Sequence, residues 1–233
     1  MISINRAGAV LETLDRPDAD PYLVRKTLED IARVNARLGG CAAVRFGLRC
    51  LLKDLPAGLP IEILDVGAGG GDVIAHLKAR LGRKDVRFLA VELHPVAARV
   101  CAGSGAVTLR ADGARLPLRA GAVDVAVASQ VLHHLDRAAI PEFVLELSRV
   151  ARIGVVIADL VRSRFAAFWF PFLSRWMRLH PVTEADGVIS LNRGFTRGEL
   201  CAWLRRAGIE ARVYRRPGFR LVAYWRTGVG NAR

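Results

Sequence analysis

From Ile61 onward, short runs of branched apolar residues alternate with stretches whose apolar positions recur every three or four residues. The runs IEILDV, VRFLAVE, AVTLRAD, VDVAVAS and GVVIAD have the length and near-continuous apolarity of strands covered on both faces. Between them the spacing predicts helices over about Asp72 to Leu81, Pro95 to Ala102 and Arg137 to Arg152. This alternation specifies an α/β fold, a Rossmann-like doubly wound parallel sheet with right-handed crossovers. The end of the chain breaks the pattern. A helix from Thr196 to Ala207 is followed by IEARVYRR, Pro217-Gly218 and FRLVAYWR, which predicts a seven-stranded sheet closed by an antiparallel pair at one edge.

The first third reads differently. Asp20-Pro21 has the form of an N-cap and first helical position, and Leu23, Leu28, Ile31, Val34 and Leu38 follow at helical spacing up to Gly39-Gly40. A second helix is expected from about Cys41 to Asp54, and the LPAGLP stretch then acts as a linker. Residues 1–57 are therefore expected to be a helical cap, and 58–233 the main domain, with a lid inserted at about 160–195.

Composition refines this picture. With 233 residues, 52% of them hydrophobic, the chain can bury a full domain core. Its four cysteines lie far apart, and no His or Cys spacing suggests a metal site. No signal-like leader and no apolar run of membrane-spanning length is present, so a cytoplasmic protein is expected, with peripheral membrane contact left open. The charge is skewed to +13, and ten arginines against two glutamates give residues 193–233 alone +8. Such a tail suits nucleic acid, an anionic surface or an acidic substrate.

The chemistry concentrates in EILDVGAGGGDV. A glycine-rich turn between the first strand and its helix lets backbone approach a ligand in the crevice of a doubly wound sheet. Asp72 stands where the third glycine of a dinucleotide loop would fall, and its charge would repel a pyrophosphate. No Gly-Lys-Ser/Thr follows, so a P-loop is excluded. A zwitterionic amino acid joined to a nucleoside meets neither objection.

Asp65-Val66-Gly67-Ala68-Gly69-Gly70-Gly71 resembles the D-x-G-x-G-x-G signature of class I S-adenosylmethionine (SAM) methyltransferases. The resemblance extends to Glu92 after the second strand, Asp112-Gly113 after the third and Ser129-Gln130-Val131-Leu132-His133-His134-Leu135 after the fourth. The last of these is similar to the loop of the branch that methylates ubiquinone and menaquinone precursors. The resemblance implies SAM as cofactor, contacted by Asp65, Gly67, Ala68, Gly69 and Gly71, by Glu92 and Leu93 at the ribose, by Ala111, Asp112 and Gly113 at the adenine, and by Ser129, Gln130 and His134 along the methionine. A carboxylate suits a diol because it accepts two charge-assisted hydrogen bonds at once.

For the transfer itself, His133 and His134 are the candidate bases, with Asp159 and His180 as competitors. The insertion VRSRFAAFWFPFLSRWMRLH places aromatics among arginines, which points to a lid over an apolar acceptor. Phe168, Trp169, Arg162, His180 and Arg193 are its candidate acceptor contacts. The expected acceptor is a lipophilic small molecule such as a polyketide, quinone precursor or phenolic lipid, methylated at a hydroxyl, phenol or carbon, and no nucleic-acid partner is expected. Two other readings stay open: an RNA or DNA methyltransferase using the basic tail, and a non-catalytic SAM-fold assembly partner. Against nucleic acid, no Asn/Asp-Pro-Pro-aromatic motif and no crevice cysteine follows strand four.

Overall fold

The computed structural model describes residues 11–56 and 58–228. Its core is one seven-stranded sheet in the order β3-β2-β1-β4-β5-β7-β6. The strands are β1 (Ile61–Val66), β2 (Val86–Glu92), β3 (Val107–Arg110), β4 (Val123–Ser129), β5 (Ala151–Leu160), β6 (Arg212–Arg216) and β7 (Arg220–Arg226). The first five run parallel, and β7 enters antiparallel between β5 and β6, with Leu160 opposite Arg220. All seven expected strands are present, and the hairpin closes the edge as its Pro-Gly turn implied.

Helices α3 (Asp72–Arg80), α4 (Pro95–Ala102), α5 (Ile140–Val150) and α8 (Arg197–Arg206) fill the crossovers, while α1 (Pro21–Arg37) and α2 (Gly40–Leu52) precede the sheet. The helix expected over Arg137 to Arg152 is shorter. A 3-10 turn at Arg137–Ala139 leads into α5, and the chain becomes strand at Ala151, with Ala151, Val155 and Ile157 fully buried in the sheet.

Two buried clusters face the sheet from opposite sides. One joins Leu64, Val66, Phe143, Leu147, Val155 and Leu221 under α5 and α8. The other joins Val44, Leu48 and Leu51 of α2 to Ile63, Ile74, Val125 and Val222. α2 is thus a layer of the core. Gly47 shows how close it sits, since a Cβ there would meet Val156 Cγ1 at 2.5 Å. The capping role belongs to α1, whose Asp20 Oδ1 accepts from the Tyr22 amide at 2.8 Å and whose far end lies over the crevice.

The segment expected to be a lid forms two packed helices, α6 (Arg164–Trp176) and α7 (Pro181–Arg193). Ser163 caps α6 through the Ala166 amide, and His180 caps α7 through the Val182 amide. Buried Asp30 of α1 accepts from the His180 amide at 2.6 Å and from Thr183 Oγ1 at 3.0 Å, so the lid is tied to the cap. No helix among the described residues is long and apolar enough to cross a membrane.

Candidate active site

The glycine turn follows β1, where the strand's C-terminal end opens onto a cavity of about 340 Å³. Gly67 and Gly71 hold left-handed backbone at φ 73° and 79°. A Cβ on Gly67 would meet Val131 Cγ2 at 2.5 Å, and one on Gly71 would meet Ser104 Cβ at 2.7 Å. Both glycines are required by backbone conformation and by the approach of protein neighbours. At the centre of the turn the Gly69 amide donates to Glu92 Oε2 at 2.7 Å, while Glu92 Oε1 accepts from the His94 amide at 2.9 Å.

Three carboxyl groups crowd this turn. Asp65 is fully buried, and neither of its carboxylate oxygens has a hydrogen-bond partner. Burial first, then the charges of Asp72 and Glu92, raise its pKa to about 8. Asp72 is raised by burial against the hydrogen bond it accepts from Asn35, and Glu92 is raised by burial against the amides it receives. Orphaned buried carboxylate and mutual repulsion are both costly without a donor or a cation to relieve them. A ligand bearing an ammonium and a sulfonium supplies the opposite charge, so this donor set fits SAM.

From Asp72 a relay of polar side chains crosses the cavity. Asn35 Nδ2 donates to Asp72 Oδ2 at 3.0 Å, Gln130 Nε2 to Asn35 Oδ1 at 2.7 Å, and Arg220 Nη1 to Gln130 Oε1 at 2.7 Å. Gln130 sits at φ 57°, a left-handed position that a glutamine adopts only where its surroundings hold it. Burial pulls the Arg220 pKa down to about 10 against the charges of Asp159 and Asp72, and its Nε has no partner. Asn35 falls in the polar Arg33 to Gly40 stretch that the sequence offers as a cap over the cofactor pocket, whereas Arg220 was not singled out. Nothing in the spacing of an asparagine on a cap helix and an arginine on the last strand marks them as neighbours.

His133 and His134 both line the cavity, on a short 3-10 turn after β4. His133 Nδ1 lies 2.8 Å from Asp159 Oδ1, and its amide donates to Asp159 Oδ2 at 3.3 Å. Burial raises the Asp159 pKa, but the charge and hydrogen bond of His133 outweigh it and leave the group below its usual value. An ionised carboxylate only accepts, so Nδ1 is the donor of this pair and Nε2 is the ring nitrogen turned away from Asp159. Asp159 therefore orients His133 and does not compete with it.

His134 has the opposite character. Its Nδ1 is 2.9 Å from Asp15 Oδ1 and its Nε2 is 3.9 Å from Glu12 Oε2. Burial disfavours its charge, but the hydrogen bond to Asp15 and the charges of Glu12 and Asp15 raise its pKa to about 9. At neutral pH it holds its proton, so its candidacy as a base is corrected: it is a fixed cation. Glu12, His133 and His134 bring one ligand atom each within 4.8 Å of one another. Asp159, Asp15 and the Arg193 guanidinium 3.3 Å from Glu12 already engage that cluster, which does not invite a metal ion.

Trp169 reaches the cavity, with Phe165, Phe170 and Leu173 beside it. Other expected acceptor contacts stand elsewhere. Phe168 points to solvent because it lies on the outer face of α6. Arg162 pairs with Glu199 at 2.6 Å on the surface, Arg193 pairs with Glu12 at 3.3 Å and Asp15 at 3.7 Å, and His180 is spent as the α7 cap. Charge drew the two arginines to nearer partners than the cavity.

The expected adenine and ribose residues occupy a separate shelf. Leu93 follows β2, with its side chain exposed. Ala111 donates its amide to the Glu92 carbonyl at 3.3 Å, and Asp112 Oδ1 accepts from the Ala114 amide at 2.9 Å. A Cβ on Gly113 would meet Val66 Cγ1 at 2.6 Å, so that glycine answers to packing. Ser129 lines the main cavity with its buried hydroxyl unpartnered, and Ala68 lines it too.

A family profile described as a methyltransferase domain matches residues 64–177. A SAM-dependent methyltransferase from Aquifex aeolicus has 20% identity and a TM-score of 0.60, over 89% of this chain and 98% of its own. Human N-acetylserotonin methyltransferase in complex with SAM has 11% identity and a TM-score of 0.63, over 90% of this chain and 57% of its own. A protein from Thermotoga maritima described as a possible histamine N-methyltransferase has 16% identity and a TM-score of 0.57, over 89% and 99%. No curated protein matches the chain. The chain carries a methyltransferase domain over residues 64–177, with the glycine turn and its buried acids inside it, on the seven-stranded fold of class I SAM-dependent methyltransferases.

Proposed function

We propose that the enzyme methylates a lipophilic small molecule, such as a polyketide, quinone precursor or phenolic lipid, at a hydroxyl or phenol oxygen. The observation that carries this reading is the composition of one cavity. Its outer wall carries Phe165, Trp169, Phe170 and Leu173, and its polar lining presents His133 backed by Asp159 and the cationic His134. Burying an aromatic ring against an apolar acceptor contributes about 1.5 to 3 kcal/mol, enough to hold such a molecule with few polar contacts. Human N-acetylserotonin methyltransferase, similar in fold, is named for a small aromatic acceptor.

SAM supplies an activated methyl group on a sulfonium. His133 Nε2 takes the acceptor's hydroxyl proton as that oxygen becomes nucleophilic, while Asp159 stabilises the imidazolium that forms. His134, already positive, favours the developing oxyanion. α1, α6 and α7 close over the cavity and exclude water, so orientation does most of the remaining work.

The test is methyl transfer from labelled SAM to a panel of alkylated phenols, with His133→Ala and Asp159→Asn as variants. His133→Ala is expected to lower kcat by about 10² to 10⁴ with SAM affinity unchanged. Unimpaired kcat in both variants, or methylation of RNA with a steep inverse dependence on salt, would overturn the proposal.

A further inference from the structure

The cavity's outer wall has a second face. α6 leaves Phe165 66%, Phe168 65%, Trp169 49%, Phe172 55% and Trp176 78% exposed. Four of these rings are linked along the 13-residue helix: Phe165 lies 6.3 Å from Trp169, Phe168 meets Trp169 edge-on at 5.4 Å, and Trp169 lies 5.3 Å from Phe172, with Trp176 exposed at the helix end. Phe165 carries it across to Phe219 at the tip of the β6–β7 hairpin, 6.5 Å away. An apolar patch of this extent on a soluble domain marks a place where something docks.

The charges around it select the occupant. From Leu160 to Thr183 there is no acidic residue, while Arg164, Arg175 and Arg178 stand exposed around the rings, and Arg215 and Arg216 flank the hairpin tip. Glu184, the next acid along the chain, reaches Arg175 only at 3.8 Å. Tryptophan and phenylalanine among arginines, on a helix too short to span a bilayer, match the interfacial zone of a membrane with anionic headgroups. Phe165 and Trp169 belong to this surface and to the cavity wall at once.

We propose that the outer face of α6, with the Phe219 hairpin tip, docks on an anionic lipid surface and sets the cavity mouth where a lipophilic acceptor is dissolved. Its purpose rests on the acceptor reading above, but the docking itself needs no acceptor and is measured without one. The docked helix lies in the interface plane with its rings among the upper acyl chains and its arginines at the phosphates.

The experiment is co-sedimentation of the full chain with phosphatidylcholine vesicles with and without phosphatidylglycerol, with tryptophan emission as a second readout. The chain should partition onto the anionic vesicles with a blue shift, weaken as salt is added and ignore pure phosphatidylcholine. Phe172→Ser with Trp176→Ser, both outside the cavity wall, should cut partitioning at least about tenfold with the melting temperature unchanged. Turnover of a freely soluble phenol by that double variant should match the parent. Partitioning insensitive to the double substitution, or absence of binding together with a concentration-dependent dimer that the substitution dissolves, overturns the proposal. Vesicle binding without phenol turnover would sink the acceptor reading and leave this one standing.

Discussion

The two walls of the cavity are built on opposite principles. The wall of β1, β2 and the glycine turn is rigid, dry and acidic, with Asp65, Asp72 and Glu92 forced together and a carboxylate left without a donor. The wall of α6, α7 and residues 12–15 is made of exposed rings and of ion pairs among Glu12, Asp15, His134 and Arg193. One wall stores unfavourable electrostatics that a cationic cofactor relieves. The other has already neutralised its charges internally and offers apolar surface. Selectivity for the common cofactor and adaptation to a particular acceptor are thereby separated in space.

That contrast can be broken at several points. His134 has a pKa raised above its unfolded value, so it contributes stability that is fully present below about pH 6.5 and is lost as pH rises through about 9. The loss should be at most roughly 3 kcal/mol. Denaturant titrations across that window should show it, and His134→Gln should flatten the curve there. An unchanged slope would mean the ion pairs of the outer wall do not hold.

On the acidic wall, Asp65→Asn should weaken SAM binding by about 1.5 to 3 kcal/mol while leaving the acceptor KM near its original value. Calorimetry and steady-state kinetics together read both. The mirror experiment is Trp169→Ala, expected to raise the acceptor KM by about tenfold, or roughly 1.4 kcal/mol, since its ring is only half buried, with SAM affinity preserved. If either variant moves both constants equally, the two walls are not independent. The smallest signal is a proton. Because Asp65 stays largely protonated below about pH 8 in the free protein, arrival of a cation should expel close to one proton per SAM at pH 7. Binding heats in two buffers of different ionisation enthalpy measure that number, and Asp65→Asn should abolish it.

The same division explains what the sequence made legible. Strands, the glycine turn, Glu92 and the His133-His134 pair were readable because each is specified locally, by period, by a turn residue or by position at a strand end. His133, named from its strand-end position, and Trp169, named from the run of aromatics, both line the cavity. The long-range polar pairings resisted that logic. Glu12, Asn35 and Arg220 meet residues 90 to 181 positions away in the chain, and no periodicity encodes such pairings. The arginines misled in a physical way: Arg162 and Arg193 have the right charge to hold an acceptor, but Glu199, Glu12 and Asp15 reach them first. Phe168 shows that a stripe of rings identifies a helix of interest without saying which side faces inward.

The position of β7 has a consequence for how the protein is made. β5 is the longest strand, ten residues and mostly buried, and its edge is covered by residues 220–226, which are synthesised after the other six strands of the sheet. Until then that edge is unpaired, a template for intermolecular pairing. Arg220 also completes the relay that fixes Gln130 and Asn35, so a nascent chain lacking the final hairpin has neither a sealed sheet nor an organised crevice. Premature termination should therefore yield aggregating products and not partly active enzyme.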